Sequence, residues 1–402
     1  MKWKDLRMLS AALGLFIFAI CLILFPKDVL EASKSGLTMW SDSVFPSLLP
    51  FFITAELLIA FGVVSFLGVL LEPLMRPLFN IPGSGGFVWA MGLSAGFPSG
   101  AKFTVKLRKQ NKLTREEAER LVSFTNSSSP LFICGAVAVG FFQDAALGIL
   151  LAICHYGANT LVGIFMRFYK RNSPPSSPAA SSASLKTAFQ ALKKDQEQDE
   201  RPLGKKLGDA VTTSIHTLFM IGGFIILFSV LYRILKVTGT IHYIALLPGS
   251  VLSLLQFSPE LAFPWLSGFF EITVGSKLIS DLNNTDMLEK AIITAFVLGF
   301  SGFSVQAQVA SLLAETDIRF GPFFAARWLH GFLAAFLTYL LWEPFYIRQM
   351  EQPVYSGEIA TSFVVTSWQT IGTWLSVYGG YITIGALFLY LYIIHFRMLH
   401  SN

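Results

Sequence analysis

The sequence predicts an all-α polytopic membrane protein, organised as an inverted-topology repeat of two halves with broken or re-entrant helices. Three observations carry that expectation. Of the 402 residues, 53% are hydrophobic and 14% aromatic, while only 14% are charged, against roughly 25% charged in an average soluble domain. Several windows of about 20 residues, among them 8–26, 145–168, 215–231 and 374–394, hold little or no charge, enough to cross a hydrocarbon core of about 30 Å. The chain also matches itself at a shift of 175 residues, with basic residues concentrated at only one of two matched connectors.

Taken in order, the elements follow from composition and breaks. Lys2, Lys4 and Arg7 precede the apolar run 8–26. That run is too long for a signal peptide and ends at Phe25-Pro26 without a small-residue cleavage site, so it should stay as the first span. Residues 42–64 return toward Arg76, and a Pro-bounded amphipathic stretch follows. Residues 85–100 should dip in and back, 101–120 form a charged connector, and 121–142 and 145–168 cross again. Residues 171–206, rich in Ser, Pro, Ala and charge, read as a solvated linker with one short helix near 183–194. The expected domains are an N-terminal span (1–35), a first repeat (36–170), a cytoplasmic linker (171–206), a second repeat (207–345), and an amphipathic segment with a C-terminal span (346–402).

The repeat lays "GFPSGAKFTVKL" (96–107) over "EITVGSKLISDL" (271–282) and pairs Gly100 with Gly275, Lys102 with Lys277 and His155 with His330. Topology tests it independently. With the N-terminus inside, the 101–120 connector lies inside and carries Lys102, Lys106, Arg108, Lys109, Lys112, Arg115 and Arg120. Its counterpart, 276–295, should lie outside and holds only Lys277 and Lys290 against Asp281, Asp286 and Glu289. Oppositely oriented copies under the positive-inside rule give this asymmetry. The C-terminus, with Arg397, then also lies inside.

Inverted repeats with broken helices are an architecture of secondary transporters, whose sites lie at mid-membrane where helices unwind. The sequence offers matched breaks at Gly96-Phe97-Pro98-Ser99-Gly100 and Glu271-Ile272-Thr273-Val274-Gly275, and at Asn126-Ser127-Ser128-Ser129-Pro130 and Ser301-Gly302-Phe303-Ser304, the last followed by Gln306 and Gln308. Freed amides and hydroxyls there would converge on a small polar solute. The candidate solute-binding residues are Pro98, Ser99, Asn126, Ser127, Ser128, Glu271, Thr273, Ser301, Ser304 and Gln306. The competing reading is packing, since Ser, Gly and Asn let membrane helices approach closely.

The intramembrane ionisable residues are Glu56, Glu271, His155, His330 and Arg327. A charge at the bilayer centre costs about 2.5–3.5 kcal/mol on insertion scales, so each needs a partner or a wet cavity. Glu271 reads as an ion or proton site, as a structural partner of Arg327 or a histidine, or as a simply protonated carboxyl. His155 and His330 read as helix–helix hydrogen-bonding residues. The sequence shows no Gly-rich phosphate loop, nucleophile elbow, zinc motif or nucleophile–base pair, so no enzyme, cofactor or metal site is expected. Basic residues flank apolar spans rather than forming a nucleic-acid face. Cys21, Cys134 and Cys154 lie in apolar segments and imply no disulfide framework.

At "SAGFPSGAK" (94–102), "FTNSSSP" (124–130) and "GFFEITVGSK" (268–277) the chain resembles the YlbJ-type sporulation integral membrane proteins of endospore-forming bacteria. The halves of that family are nucleoside-recognition Gate domains, similar in turn to the core of concentrative nucleoside transporters. The resemblance implies two Gate-type halves, residues 97–100 and 271–275 in the first hairpin type, and 126–130 and 301–304 in the second. It also implies a role in spore development, particularly the cortex, in a membrane of the sporulating cell or forespore. The transporters' hairpin glutamine-threonine-glutamate pattern is absent, with Pro98-Ser99 and Ile272-Thr273 at the tips, so no particular solute follows. Two functions are expected to compete. One is a transporter-like protein for a small polar solute. The other is a non-transporting scaffold for cortex assembly, partnered by other sporulation membrane proteins.

Overall fold

The computed structural model describes residues 3–176 and 184–347, and these are helical with no strand among them. The chain divides into a compact unit reaching Tyr346 and a second unit from Ile347 onward. Of the second only Ile347 is described, so the expected C-terminal span lies outside the described residues.

Helix α1 (Trp3–Leu24) is followed by α2 (Pro26–Met39), which Pro26 opens at its first turn. A π-helical turn (Trp40–Val44) carries α2 straight into α3 (Phe45–Ala60), so residues 26–60 form one long helix despite Pro46 and Pro50. Position 35, the expected edge of the first span, falls inside this helix. Gly62, at φ +75°, then turns the chain by 84° into α4 (Val63–Phe79). The sign of that angle suits glycine, which has no Cβ to clash.

α5 (Ser84–Ala95) and α6 (Ser99–Lys109) form the first hairpin, broken at Gly96 with φ +80°. α7 (Arg115–Thr125) starts on a capping box in which Thr114 and Glu117 satisfy each other's amides. The Asn126–Pro130 break separates it from a π-helix (Leu131–Phe142), and α8 (Ala145–Met166) follows with Asp144 as its cap. The linker holds α9 (Leu185–Gln198). The second half comprises α10 (Leu203–Val237), α11 (Thr240–Leu254), α12 (Ala262–Phe270), α13 (Ile272–Ser280), α14 (Met287–Phe300), α15 (Gly302–Leu313) and α16 (Phe320–Trp342).

A shift of 175 places α4 over 238–254, where α11 lies, and α8 over 320–341, where α16 lies. It also places α2–α3 over α10, and this pair and the α8–α16 pair each pack in opposite directions. Along α2–α3 and α10, Arg233 reaches Asp28 at 2.9 Å, while Trp40 Nε1 donates to the Leu218 carbonyl at 2.8 Å. Along α8 and α16, Asp144 accepts from the Tyr346 hydroxyl at 2.6 Å, and His155 lies against its own counterpart His330, ring centroids 4.5 Å apart. Residues that rise in number on one helix therefore meet residues that fall on the other. The two repeats are inverted copies around a pseudo-twofold axis passing near His155 and His330.

The same geometry gathers the loops at two ends. Arg108 pairs with Asp317 at 2.8 Å and Lys109 with Glu315 at 2.5 Å, beside the linker. Buried Glu119 accepts from the Arg319 backbone and guanidinium and from the Tyr169 hydroxyl. Glu119→Ala should lower stability by about 1–3 kcal/mol. The lower part of that range is expected because Arg319 is 45% exposed and can rehydrate. Thermal unfolding of detergent-purified protein measures this.

The linker helix does not float free. Asp195 of α9 accepts from Ser65 Oγ at 2.5 Å and from Lys112 Nζ at 2.7 Å, and the Phe189 and Phe66 rings meet at 5.2 Å. Composition hid this docking because its only fully buried contact residue is the small Ala188.

Candidate solute site

Glu271 is the hinge between α12 and α13, with extended backbone (φ −146°, ψ 125°). Its Oε2 accepts from the Val274 amide at 2.7 Å and its Oε1 from Thr273 Oγ1 at 3.1 Å. The carboxylate thus caps the helix it precedes, where the orphan amides and the positive dipole end favour an anion. The alternative partners foreseen for it, Arg327 and a histidine, are engaged elsewhere.

Glu271 and Thr273 border a cavity of about 560 Å³. Every break reaches this cavity: Gly96 and Phe97 from the first, Ser128 and Ser129 from the second, Glu271 to Thr273 from the third, and Ser304 from the fourth. Its remaining wall is mostly apolar and comes partly from α2–α3 and α10, through residues such as Leu48, Ile221 and Ile225. Two carboxylates, Glu271 and Asp42, lie on the wall, and none of the lining residues is basic.

Of the candidate residues, Ser128, Glu271, Thr273 and Ser304 line the cavity together. The others stand behind it. Pro98 is the residue before α6, and Ser99 Oγ bonds back to the Gly96 carbonyl at 2.5 Å. Ser127 Oγ donates to the Gly92 carbonyl at 3.2 Å, fastening the second break to the first hairpin. The side chains of Asn126 and Ser301, at equivalent positions, are buried without hydrogen-bond partners. Gln306 turns inward and donates from Nε2 to the Phe300 carbonyl at 3.0 Å, closing the end of α14.

Sequence reasoning missed Asp42 and passed over Gln308. Gln308 lies one helical turn beyond Ser304, on the same face of α15, whereas Gln306 lies on another. The sequence puts Ser304 and Gln308 on one face, but which face of α15 meets the cavity is set by packing. Asp42 could have been found as a lone carboxylate within an apolar stretch.

The other buried carboxylates among the described residues are paired. Glu56 meets Lys102 Nζ at 3.2 Å and also Lys106, while Lys102 lies 4.3 Å from the centroid of the Phe52 ring. His330 Nε2 is 2.9 Å from the His155 carbonyl oxygen, so the two histidines do join helices.

Two inverted copies of one broken-helix unit around a shared cavity define a class of integral membrane protein. The Gate model, described as nucleoside recognition, matches residues 42–147 and again 218–319, once in each copy. The chain is also 51% identical over 404 residues to the sporulation integral membrane protein YlbJ of Bacillus subtilis (strain 168), covering 98% of this chain and 97% of that one. It belongs to the Gate family, among the YlbJ-type sporulation integral membrane proteins. Solved structures similar to it include CNTnw in an inward-facing substrate-bound state, with a TM-score of 0.41 and 12% identity over 82% of this chain and 86% of that one. A CNTnw variant in the intermediate 1 state gives a TM-score of 0.38 at 11% identity, over 84% and 86%.

Proposed function

We propose that this protein acts in a membrane of the spore-forming cell, in cortex assembly, and passes a small polar solute through the central cavity. One observation carries the reading: breaks from both inverted repeats line a single cavity of about 560 Å³. That volume falls within the roughly 300–1,000 Å³ usual for small-molecule sites. Irregular backbone at membrane depth is tolerated where protein covers it or a cavity is wet. The solute would meet Glu271, Thr273, Ser128, Ser304 and Gln308 on the wall. Pro98, Ser99, Asn126, Ser127, Ser301 and Gln306 would shape the wall from behind. The spore setting is supported by the likeness to the sporulation protein YlbJ, and both termini are proposed to lie in the cytoplasm.

One feature favours the scaffold reading instead: Glu271 already satisfies its own helix and needs no ligand. Reconstitution decides between them. Purified protein in liposomes, offered nucleosides, cortex precursors and monovalent ions under imposed gradients, should accumulate at least one solute above protein-free vesicles. It should also gain thermal stability with that solute. Transport of none of them, with no thermal shift, would leave the scaffold reading, in which the partners are other sporulation membrane proteins.

A further inference from the structure

Arg327 of α16 is fully buried, yet its hydrogen-bond partners include no carboxylate among the described residues. Its Nη1 donates to the Asn126 carbonyl at 2.7 Å, and its Nη2 to the Ser123 carbonyl and, at 3.3 Å, to Asn159 Oδ1. α7 ends at Thr125, so both carbonyls belong to the helix end that the break leaves unsatisfied. The guanidinium therefore takes the negative end of a helix dipole as its counter-charge. The cation comes from one repeat and the helix end from the other.

The same network continues toward the cavity. His330 Nδ1, 3.0 Å from Arg327 Nη1, must accept from the guanidinium, which fixes the His330 proton on Nε2 and lets it donate to the His155 carbonyl. His155 Nε2 in turn accepts from the Ser128 amide at 3.1 Å, so this ring too is neutral, with its proton on Nδ1. The neighbouring Tyr156 hydroxyl donates to the Ser128 carbonyl at 3.0 Å. Both backbone groups of Ser128 are thus held by α8, and Ser128 and Ser129 are where the second break reaches the cavity.

The equivalent break in the second repeat is built differently. Position 152, the counterpart of Arg327, is Ala152, and the end of α14 is closed by Gln306 from the same repeat. One break is thus set from across the pseudo-twofold axis and the other locally. We propose that Arg327 is a positioning residue for the cavity: through the Asn126 carbonyl, His330 and His155 it fixes where Ser128 and Ser129 sit. Without the guanidinium, two buried carbonyls lose their donors, and the break must re-form its hydrogen bonds elsewhere. Its functional weight rests on the cavity being the solute site.

The test reads geometry and needs no transport, so it stands or falls separately from the proposed function. In a background carrying Cys21→Ala, Cys134→Ala and Cys154→Ala, single cysteines are placed at two half-buried lining positions, Ser129→Cys in the second break and Val305→Cys on α15. The rate of modification by a small methanethiosulfonate reagent is then measured in membranes. Arg327→Met should change the rate at position 129 by about tenfold or more, the scale of losing hydrogen bonds to a charged group, and leave position 305 within about twofold. Arg327→Lys should restore part of the rate, since an ammonium can still reach one carbonyl. If Arg327→Met fails to fold, Arg327→Lys and His330→Gln carry the test, each shifting position 129 alone. Equal changes at both positions would reduce Arg327 to general packing, and no change at position 129 in any folded variant would remove the positioning role.

Discussion

Alanine at Gly92 is expected to prevent the first hairpin from seating. A Cβ added there would lie 1.9 Å from the Thr125 carbonyl oxygen, and one at Gly100 would lie 2.1 Å from the same atom. Both glycines let α5 and α6 close onto the end of α7, where Ser127 Oγ bonds the Gly92 carbonyl. The obstructing atom is backbone at a helix end already fixed by Arg327, so no side-chain rotation relieves the clash. Overpacking of this kind costs about 1–3 kcal/mol, occasionally more. Gly92→Ala and Gly100→Ala should each lower the thermal midpoint by several degrees and reduce the monodisperse fraction after detergent extraction. Gly223 on α10 has open space around its Cβ position and provides the control. Gly223→Ala should be neutral or mildly stabilising, because alanine favours a helix by up to about 1 kcal/mol over glycine. A Gly92→Ala protein as stable as Gly223→Ala would show that the hairpin does not close this tightly.

The order of elements was legible because each break is written in residues with strong backbone preferences. Gly96 takes a left-handed φ, and the Asn126–Pro130 run ends α7. The inverted repeat was legible because homologous helices keep their spacing, and a membrane adds a charge rule that reports orientation. What stayed hidden depends on contacts between distant segments. Pro46 and Pro50 each remove a backbone donor, yet the chain stays helical through the π-helical turn at Trp40–Val44 and on to Ala60. Which of Gln306 and Gln308 faces the cavity depends on how α15 rotates against its neighbours. That Arg327 serves a helix end rather than Glu271 follows from a packing of α16 on α7 that no local pattern encodes.

Charge removal at Glu271 is expected to abolish function while sparing the fold. Its counterpart in the first repeat is Gly96, so only one of the two hairpin breaks carries a carboxylate. That carboxylate does two separable things. It caps α13 through the Val274 amide, and it puts a charge on the wall of the cavity. Glutamine keeps an amide oxygen able to accept from Val274 and loses the charge, whereas alanine loses both. Loss of a cap costs about 0.5–2 kcal/mol, so Glu271→Ala should lower the thermal midpoint and Glu271→Gln should leave it close to wild type. If the cavity is a solute site that uses this charge, both variants should lose spore formation and, in liposomes, at least about tenfold of any transport, the effect of roughly 1.4 kcal/mol. If the carboxylate serves only as a cap, Glu271→Gln should form spores normally and Glu271→Ala should fail only in proportion to its lost stability. Spore yield against thermal midpoint for the two variants therefore separates a charge that acts on a solute from one that holds a helix.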